Sequence, residues 1–80
     1  MRVVIMSPLD RQFFGGKDTF DMQARTLFGL LGKLDELAPG FSDLADVRVS
    51  FAIDGVIEPD WSASLADVSE VVVLAKIAGG

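Results

Sequence analysis

The chain has 80 residues, of which 50% are hydrophobic and 24% are charged, and it contains neither cysteine nor histidine. This length allows one hydrophobic core and leaves little interior for an enclosed catalytic pocket, so we expect a single domain over residues 1–80. The two missing residue types exclude disulfides, thiolate nucleophiles, zinc–thiolate sites and histidine acid–base catalysis. We therefore predict that the protein binds no metal and no resident cofactor, and that it is not an enzyme by itself.

The charge balance is acidic, with 7 Lys and Arg residues against 12 Asp and Glu residues and a net charge of -5. This surplus repels nucleic-acid phosphates and anionic lipid headgroups, and it favours a basic protein surface as the partner. The first apolar run is too short for a secretion signal, and the longest later run, Val71 to Ala75, is far shorter than a membrane span. We expect a cytoplasmic protein that binds neither nucleic acid nor membrane.

The first three predicted elements lie before residue 26. The segment from Arg2 to Pro8 contains a cluster of β-branched residues and stops at a proline, which indicates a strand. Charged and aromatic residues follow from Leu9 to Lys17 around Gly15-Gly16, and glycine reverses the backbone at little cost, so we predict a hairpin loop. Apolar and polar residues then alternate over residues 20–25, which indicates a second strand with one solvated face.

A single amphipathic helix is predicted next. Thr26 is a plausible N-cap, because its hydroxyl can accept a hydrogen bond from a free amide of the first turn. Leucines then recur at steps of three and four residues, which places them on one apolar face, and Pro39-Gly40 ends the helix. The predicted core-facing residues are Leu27, Leu30, Leu31, Leu34 and Leu37. We expect this face to cover the sheet rather than a membrane or a partner.

The next predicted elements form a hairpin. A polar linker containing Asp43 and Asp46 precedes residues 47–53, where apolar and polar positions alternate as in a half-buried strand. Asp54-Gly55 is a typical two-residue turn. A short return strand over residues 56–58 ends before Pro59, because proline cannot donate to a β-ladder.

The last predicted strand is the most apolar. After a loop from Asp60 to Ser69, with one helical turn around Leu65, residues 70–77 form a continuous apolar run of the kind that is buried on both faces. Such a strand favours the centre of the sheet and parallel pairing with the first strand. The element order predicts an α+β fold, with a mixed sheet of four to five strands covered by one main helix.

The C-terminal residues are the most informative feature of the sequence. The predicted flexible tail over residues 76–80 consists of Lys76, Ile77, Ala78, Gly79 and Gly80. Two terminal glycines can enter a narrow channel of another protein, since they lack Cβ atoms and leave the terminal carboxyl carbon open to attack. The tail spans about 17 Å when extended. The plain alternative is a frayed chain end with small residues.

Three segments, residues 26–41, 47–55 and 65–80, together resemble the ubiquitin-like sulfur carriers of the MoaD and ThiS type. They correspond to a threonine-capped helix that ends in Pro-Gly, a strand with its Asp-Gly turn, and a closing strand with the diglycine tail. The resemblance covers nearly the whole chain and implies the β-grasp (ubiquitin-like) fold. Length and a full helix favour the MoaD type, the small subunit of molybdopterin synthase.

The resemblance also implies a reaction cycle. In such carriers a ubiquitin-activating-like enzyme uses ATP to adenylate the carboxylate of the residue equivalent to Gly80. Sulfur from a sulfurtransferase then replaces one oxygen, and the thiocarboxylate serves a larger synthase subunit in molybdenum cofactor biosynthesis. The remaining tail residues, Lys76 to Gly79, would lie in the channel of the partner. The protein would thus be a cosubstrate whose ATP is bound by its activating partner.

Several alternatives stay open at this point. The chain has Ala75-Lys76 where MoaD members usually have two prolines, and Asp67-Val68-Ser69 where they have Asp-Gly-Asp. Thiamine thiazole or another sulfur-containing metabolite is therefore an alternative product. An activated Gly80 could also form isopeptide bonds with lysines, as in a protein modifier, or the domain could be a binding module with an incidental tail.

Some side chains outside the tail are weaker candidates for functional residues. Phe13, Phe14 and Trp61 are either exposed partner contacts or packing residues of their own loops. Acidic residues in the predicted loops are expected to be solvating charges rather than acid–base or metal pairs, because a general base needs a shaped pocket. These acidic residues are Asp43, Asp46, Asp54, Glu58 and Asp60. Lys76 could meet acidic partner groups or the nucleotide, or simply keep the tail soluble.

Overall fold

The computed structural model describes residues 1–76. In chain order the elements are β1 (Arg2–Ile5), α1 (Leu9–Phe13), β2 (Thr19–Asp21), α2 (Leu27–Leu37), α3 (Phe41–Arg48), β3 (Val49–Ile53), β4 (Val56–Ile57) and β5 (Glu70–Ala75). The strands form one mixed five-stranded sheet in the order β2-β1-β5-β3-β4. The predicted α+β fold class, with its mixed sheet and one long helix, is confirmed.

The last strand lies at the centre of the sheet, as predicted. β5 pairs in parallel with β1, where Val3 lies opposite Val71, and antiparallel with β3 along the whole of that strand. Val71 and Val73 are fully buried on the face that the helices cover, but Val72 and Leu74 are only partly buried on the other face. The expectation that both faces are buried was therefore wrong, because the helices lie on one side of the sheet.

Helix α2 begins and ends where the sequence predicts. The Thr26 hydroxyl oxygen accepts a hydrogen bond from the Gly29 N–H at 3.1 Å, which satisfies one free donor of the first turn. The four leucines of its first two turns are buried, but Leu37 is exposed. Ala38, four residues after Leu34, takes the buried position at the end of this face.

Residues 9–17 were predicted to be a loop, but they begin with the short helix α1. Leu9 is buried in the core, and Phe13 lies one turn later on the same side and packs partly against it. The Asp10 carbonyl oxygen accepts hydrogen bonds from the Phe14 and Gly16 N–H groups, which ends the helix at the predicted glycine pair. Five helical residues are too few for a clear periodic signal in the sequence.

A second difference is helix α3, which occupies the predicted polar linker. Phe41 and Ala45 are fully buried one turn apart, whereas Val47 is 69% exposed on the helix and does not belong to the strand. The alternation that starts at Val47 continued the pattern of β3 by chance and concealed the end of the helix. The strand itself begins at Val49.

The remaining predicted elements agree in kind and differ in length. Asp54 and Gly55 form the turn between β3 and β4 with positive φ angles of 46° and 88°, which suits a tight hairpin. Both β2 and β4 are shorter than predicted. Residues 60–69 form a loop with turns, and no helical turn occurs around Leu65, whose side chain is buried instead. Among residues 1–76, every helix is too short or too polar to cross a membrane.

Candidate functional site

The candidate site is the end of β5, because this strand leads directly into the tail. Ala75, the last residue of the strand, lies opposite Val49 at the start of β3. One residue later the Lys76 N–H donates to the Arg48 carbonyl oxygen at 2.9 Å, which continues the pairing beyond the strand. The chain thus leaves the domain from its central strand, and the backbone is still fixed at residue 76.

The Lys76 side chain has a structural contact of its own. Its Nζ atom donates to the carbonyl oxygen of Asp46 at 2.7 Å, within the last turn of α3. The last four carbonyls of a helix lack intrahelical partners, and a cation there is favourable for the helix dipole. Lys76 therefore connects the end of α3 to the end of β5. The predicted site residues Ile77, Ala78, Gly79 and Gly80 lie outside the described residues.

The two phenylalanines of residues 9–17 are partly buried and pack against the core. The rings of Phe13 and Phe14 meet the buried Phe41 ring edge-on, with centroid distances of 5.3 and 5.2 Å. Phe14 also contacts Phe20. Edge-to-face contacts of this kind stabilise the core, so these two residues are packing residues rather than exposed contacts.

Trp61 combines packing with partial exposure. Its ring lies edge-on to Phe51 at 5.3 Å and to Phe28 at 5.8 Å between centroids. Its carbonyl oxygen accepts a hydrogen bond from the Phe28 N–H at 2.9 Å, in the first turn of α2. The loop after β4 is thereby attached to the start of α2.

The acidic residues hold turns together. The Asp54 Oδ1 atom accepts from the Glu70 N–H at 2.9 Å and from the Ser69 N–H at 3.2 Å, which attaches the β3–β4 turn to the start of β5. Hydrogen bonds from the Ser62 hydroxyl and N–H lower the pKa of Asp60. Within residues 1–76, no three acidic side chains are placed to hold a metal ion.

One structural carboxylate was missed by the sequence analysis. The Asp35 Oδ1 atom accepts from the Ser42 N–H at 3.0 Å, from the Ser42 hydroxyl at 2.9 Å and from the Gly40 N–H at 3.1 Å. These bonds, with the Ser42 N–H as the largest cause, lower the Asp35 pKa. A residue of α2 thus caps α3, because Gly40 at the N-cap has no side chain to do so.

No family model and no curated protein matches the sequence. Among solved structures, the fold is similar to the crystal structure of Mycobacterium tuberculosis CysO, which is described as an antigen. The match has a TM-score of 0.77 and covers 95% of this chain and 98% of that one, at 17% sequence identity.

The fold is the β-grasp fold. Identity this low shows the fold alone, and the β-grasp sheet order explains why the chain end lies where it does. The β-grasp arrangement places the last strand between the first and third strands of this chain. Any segment that follows β5 therefore leaves from the most strongly held strand of the sheet.

Proposed function

We propose that this protein is a sulfur carrier whose reactive group is the Gly80 carboxylate. The observation that carries the proposal is the connection of a central β5, fixed through Lys76, to the residues Ile-Ala-Gly-Gly. A partner can hold the folded domain and take the four following residues into its own active site. A rigid exit supports this role, since a carrier must present the same atom to successive partners.

The proposed reaction at the Gly80 carboxylate needs no reactive side chain from this protein. An oxygen of the Gly80 carboxylate attacks the α-phosphorus of ATP on an activating enzyme, and pyrophosphate leaves. Sulfide then attacks the acyl carbon, and AMP leaves as the thiocarboxylate forms. A sulfurtransferase persulfide attacks in the same way to give an acyl disulfide, and a second thiol then breaks the S–S bond to release the thiocarboxylate and a disulfide. Glycine suits both steps because its carbonyl carbon has no Cβ beside it. The protein acts as a cosubstrate, and its activating partner holds the ATP.

The proposed acceptor of the sulfur is a molybdopterin precursor on a larger synthase subunit, because the helix, third strand and tail resemble those of the MoaD type. Thiamine thiazole or another sulfur-containing product uses the same tail chemistry. The low sequence identity to CysO favours none of these products.

Reconstitution tests the proposal. The full chain is incubated with the activating enzyme from the same cells, ATP and sulfide, and intact mass spectrometry then measures the product. We expect pyrophosphate release and replacement of one oxygen by sulfur at Gly80. Deletion of Gly80 abolishes both signals, whereas Gly32→Ala leaves them unchanged, since this glycine lies in α2 and an added Cβ there meets no atom within 4 Å.

A second experiment separates the carrier from a protein modifier. Transfer of the activated acyl group to an amine would attach Gly80 to lysines of other proteins, and trypsin, which cleaves after Lys76, would leave Ile-Ala-Gly-Gly remnants that mass spectrometry of digested cell extract detects. If remnants are found and no thiocarboxylate is detected, the protein is a modifier rather than a sulfur carrier. If an activating enzyme that is shown to adenylate its own carrier does not adenylate this protein, the result would contradict both the carrier and the modifier function.

A further inference from the structure

A groove of about 610 Å³ lies beside the point where β5 ends. Its walls come from α2, α3 and the segment that follows β4, and the start of β3 forms its floor. Lys76 is also part of the lining. The apolar lining residues are Phe28, Leu31, Val49, Ile57 and Trp61.

The sequence explains why a groove forms here. β4 pairs with Ala52 and Ile53 but does not extend along β3 to Val49 and Ser50. Pro59 cannot donate to the ladder, and the chain instead crosses to α2. There the Trp61 carbonyl oxygen accepts a hydrogen bond from the Phe28 N–H. The first half of β3 pairs with β5 on one edge, and its other edge is thereby left beside an open space.

The groove is open and apolar. The Phe28 side chain is 59% exposed and that of Ile57 is 54% exposed, although both are large hydrophobic residues. Adjacent exposed apolar residues of this size mark interaction surfaces. Small-molecule sites enclose most of their ligand, which these exposed walls cannot do, so the groove fits a polypeptide segment better.

The rim of the groove is acidic. The charged lining residues are Asp46, Glu58 and Asp60, with three carboxylates, and Lys76, with one ammonium group, which gives a balance of -2. The Lys76 ammonium is already bonded to the Asp46 carbonyl, and the hydrogen bonds to Asp60 keep its pKa low and its charge intact. Since the acidic groups of residues 1–76 offer no metal cluster, a basic side chain is the cation that suits this rim.

We propose that this groove binds a short segment of a partner protein in which a leucine or isoleucine side chain lies next to arginine or lysine. The apolar side chain contacts the ring of Phe28 and the side chain of Ile57, and the basic side chains lie against the acidic rim. This inference goes beyond the proposed function, because it rests on the groove and does not require the Gly80 carboxylate.

The single tryptophan of the chain gives a direct readout, since Trp61 lines the groove. The probe is an acetylated seven-residue peptide in which arginine alternates with leucine. In one control peptide glutamate replaces arginine, and in the other alanine replaces leucine. We expect a saturable change of tryptophan fluorescence with the parent peptide, with Kd below about 1 mM, and at least about tenfold weaker binding of either control.

Two pairs of variants locate the binding. Ile57→Ala is expected to weaken binding about tenfold, whereas Val56→Ala, on the same strand and 69% exposed but outside the groove, is expected to leave it unchanged. Asp46→Lys is expected to weaken binding about fivefold at low salt, whereas Glu36→Lys makes the same charge change away from the groove and has little effect. Both charge reversals lie near helix C-termini, where lysine is favourable, so both variants should fold.

Several outcomes would overturn the inference. These are no saturable fluorescence change with the parent peptide, equal binding of the alanine control peptide, or equal weakening by a groove variant and its matched control. A chain without Gly79 and Gly80 should bind the peptide as well as the full chain does. This last comparison separates the groove from the tail, because the same deletion removes the proposed sulfur chemistry.

Discussion

At the residue scale, Asp35 is the side chain that couples two helices. Its carboxylate in α2 accepts three hydrogen bonds from the first turn of α3, and those bonds lower its pKa. Because the pKa is lower in the folded state than in the unfolded chain, the carboxylate stabilises the fold at pH values above its unfolded pKa. This contribution is lost as the pH falls through the folded pKa.

We expect Asp35→Asn to lower the melting temperature at neutral pH, and this effect should shrink as the pH falls through the folded pKa of Asp35 and the wild-type carboxylate becomes protonated. Thermal unfolding of both proteins from neutral to acidic pH measures the difference. Glu36→Gln, at the next position, is the control, because it removes a carboxylate of α2 that makes none of the bonds to α3. A constant difference between wild type and Asp35→Asn at all pH values would contradict the role of the charge.

The sequence predicts local contacts better than contacts between elements at this scale. The Thr26 cap and the Asp54-Gly55 turn were predicted, because each depends on residues within three positions of one another. The bond from Ser42 to Asp35 joins two helices across the Pro39-Gly40 bend. No pattern within either helix indicates this bond.

At the element scale, α2 contains a glycine that serves no visible packing purpose. Gly32 is exposed, and an added Cβ would meet no atom within 4 Å. Glycine in the middle of a helix is less favourable than alanine, since it loses more conformational freedom on folding.

We therefore expect Gly32→Ala to raise the free energy of unfolding by about 0.5–1 kcal/mol. Urea unfolding followed by circular dichroism measures it. Gly40→Ala is the opposite control, because Gly40 has a φ of 97° and alanine is strained in that conformation. Destabilisation by Gly32→Ala would show that the open space beside this helix is occupied.

The elements that the sequence missed share one property. α1 and α3 have 5 and 8 residues, so each offers little more than one or two turns of periodicity. In α3 the spacing of Phe41, Leu44 and Ala45 was the available helix signal, but the alternation from Val47 onward favoured a strand. The eleven residues of α2 gave a clear signal by contrast.

At the scale of the whole molecule, one core joins the sheet to all three helices. Phe41 of α3 is fully buried and receives the rings of Phe13 and Phe14 from the segment around α1. The central position of β5 was predicted from its apolar composition, whereas this aromatic cluster was not. Its rings come from two helices that the sequence did not indicate.

Phe41→Ala is expected to cost about 3–5 kcal/mol, because it leaves a cavity beside the rings of Phe13 and Phe14. A domain of this size has a total stability of about 4–12 kcal/mol, so the variant should melt far earlier than the wild type or fail to fold. Phe28→Ala removes the same atoms from a side chain that is 59% exposed, and we expect it to cost much less. Equal losses in the two variants, measured by thermal unfolding, would contradict the placement of the core.

The groove also belongs to this scale. Its lining comes from α2, α3, β3, β4, the loop after β4 and Lys76, which are up to 48 positions apart in the sequence, from Phe28 to Lys76. Sequence analysis singled out Trp61 and Lys76 separately, but only the fold places them around one space. The tail glycines could be recognised from the sequence, because their chemistry depends on the backbone alone.

The chemical state of Gly80 in the cell tests the central claim most directly. The protein is isolated from its native cells, the thiocarboxylate is trapped by alkylation, and the C-terminal peptide is analysed by mass spectrometry. We predict that part of the population carries sulfur in place of one oxygen of the Gly80 carboxylate, a fraction that disappears in cells without the activating enzyme. A chain that continues beyond Gly80, or a Gly80 found only as the free carboxylate while the cells make sulfur-containing cofactors, would contradict the proposal.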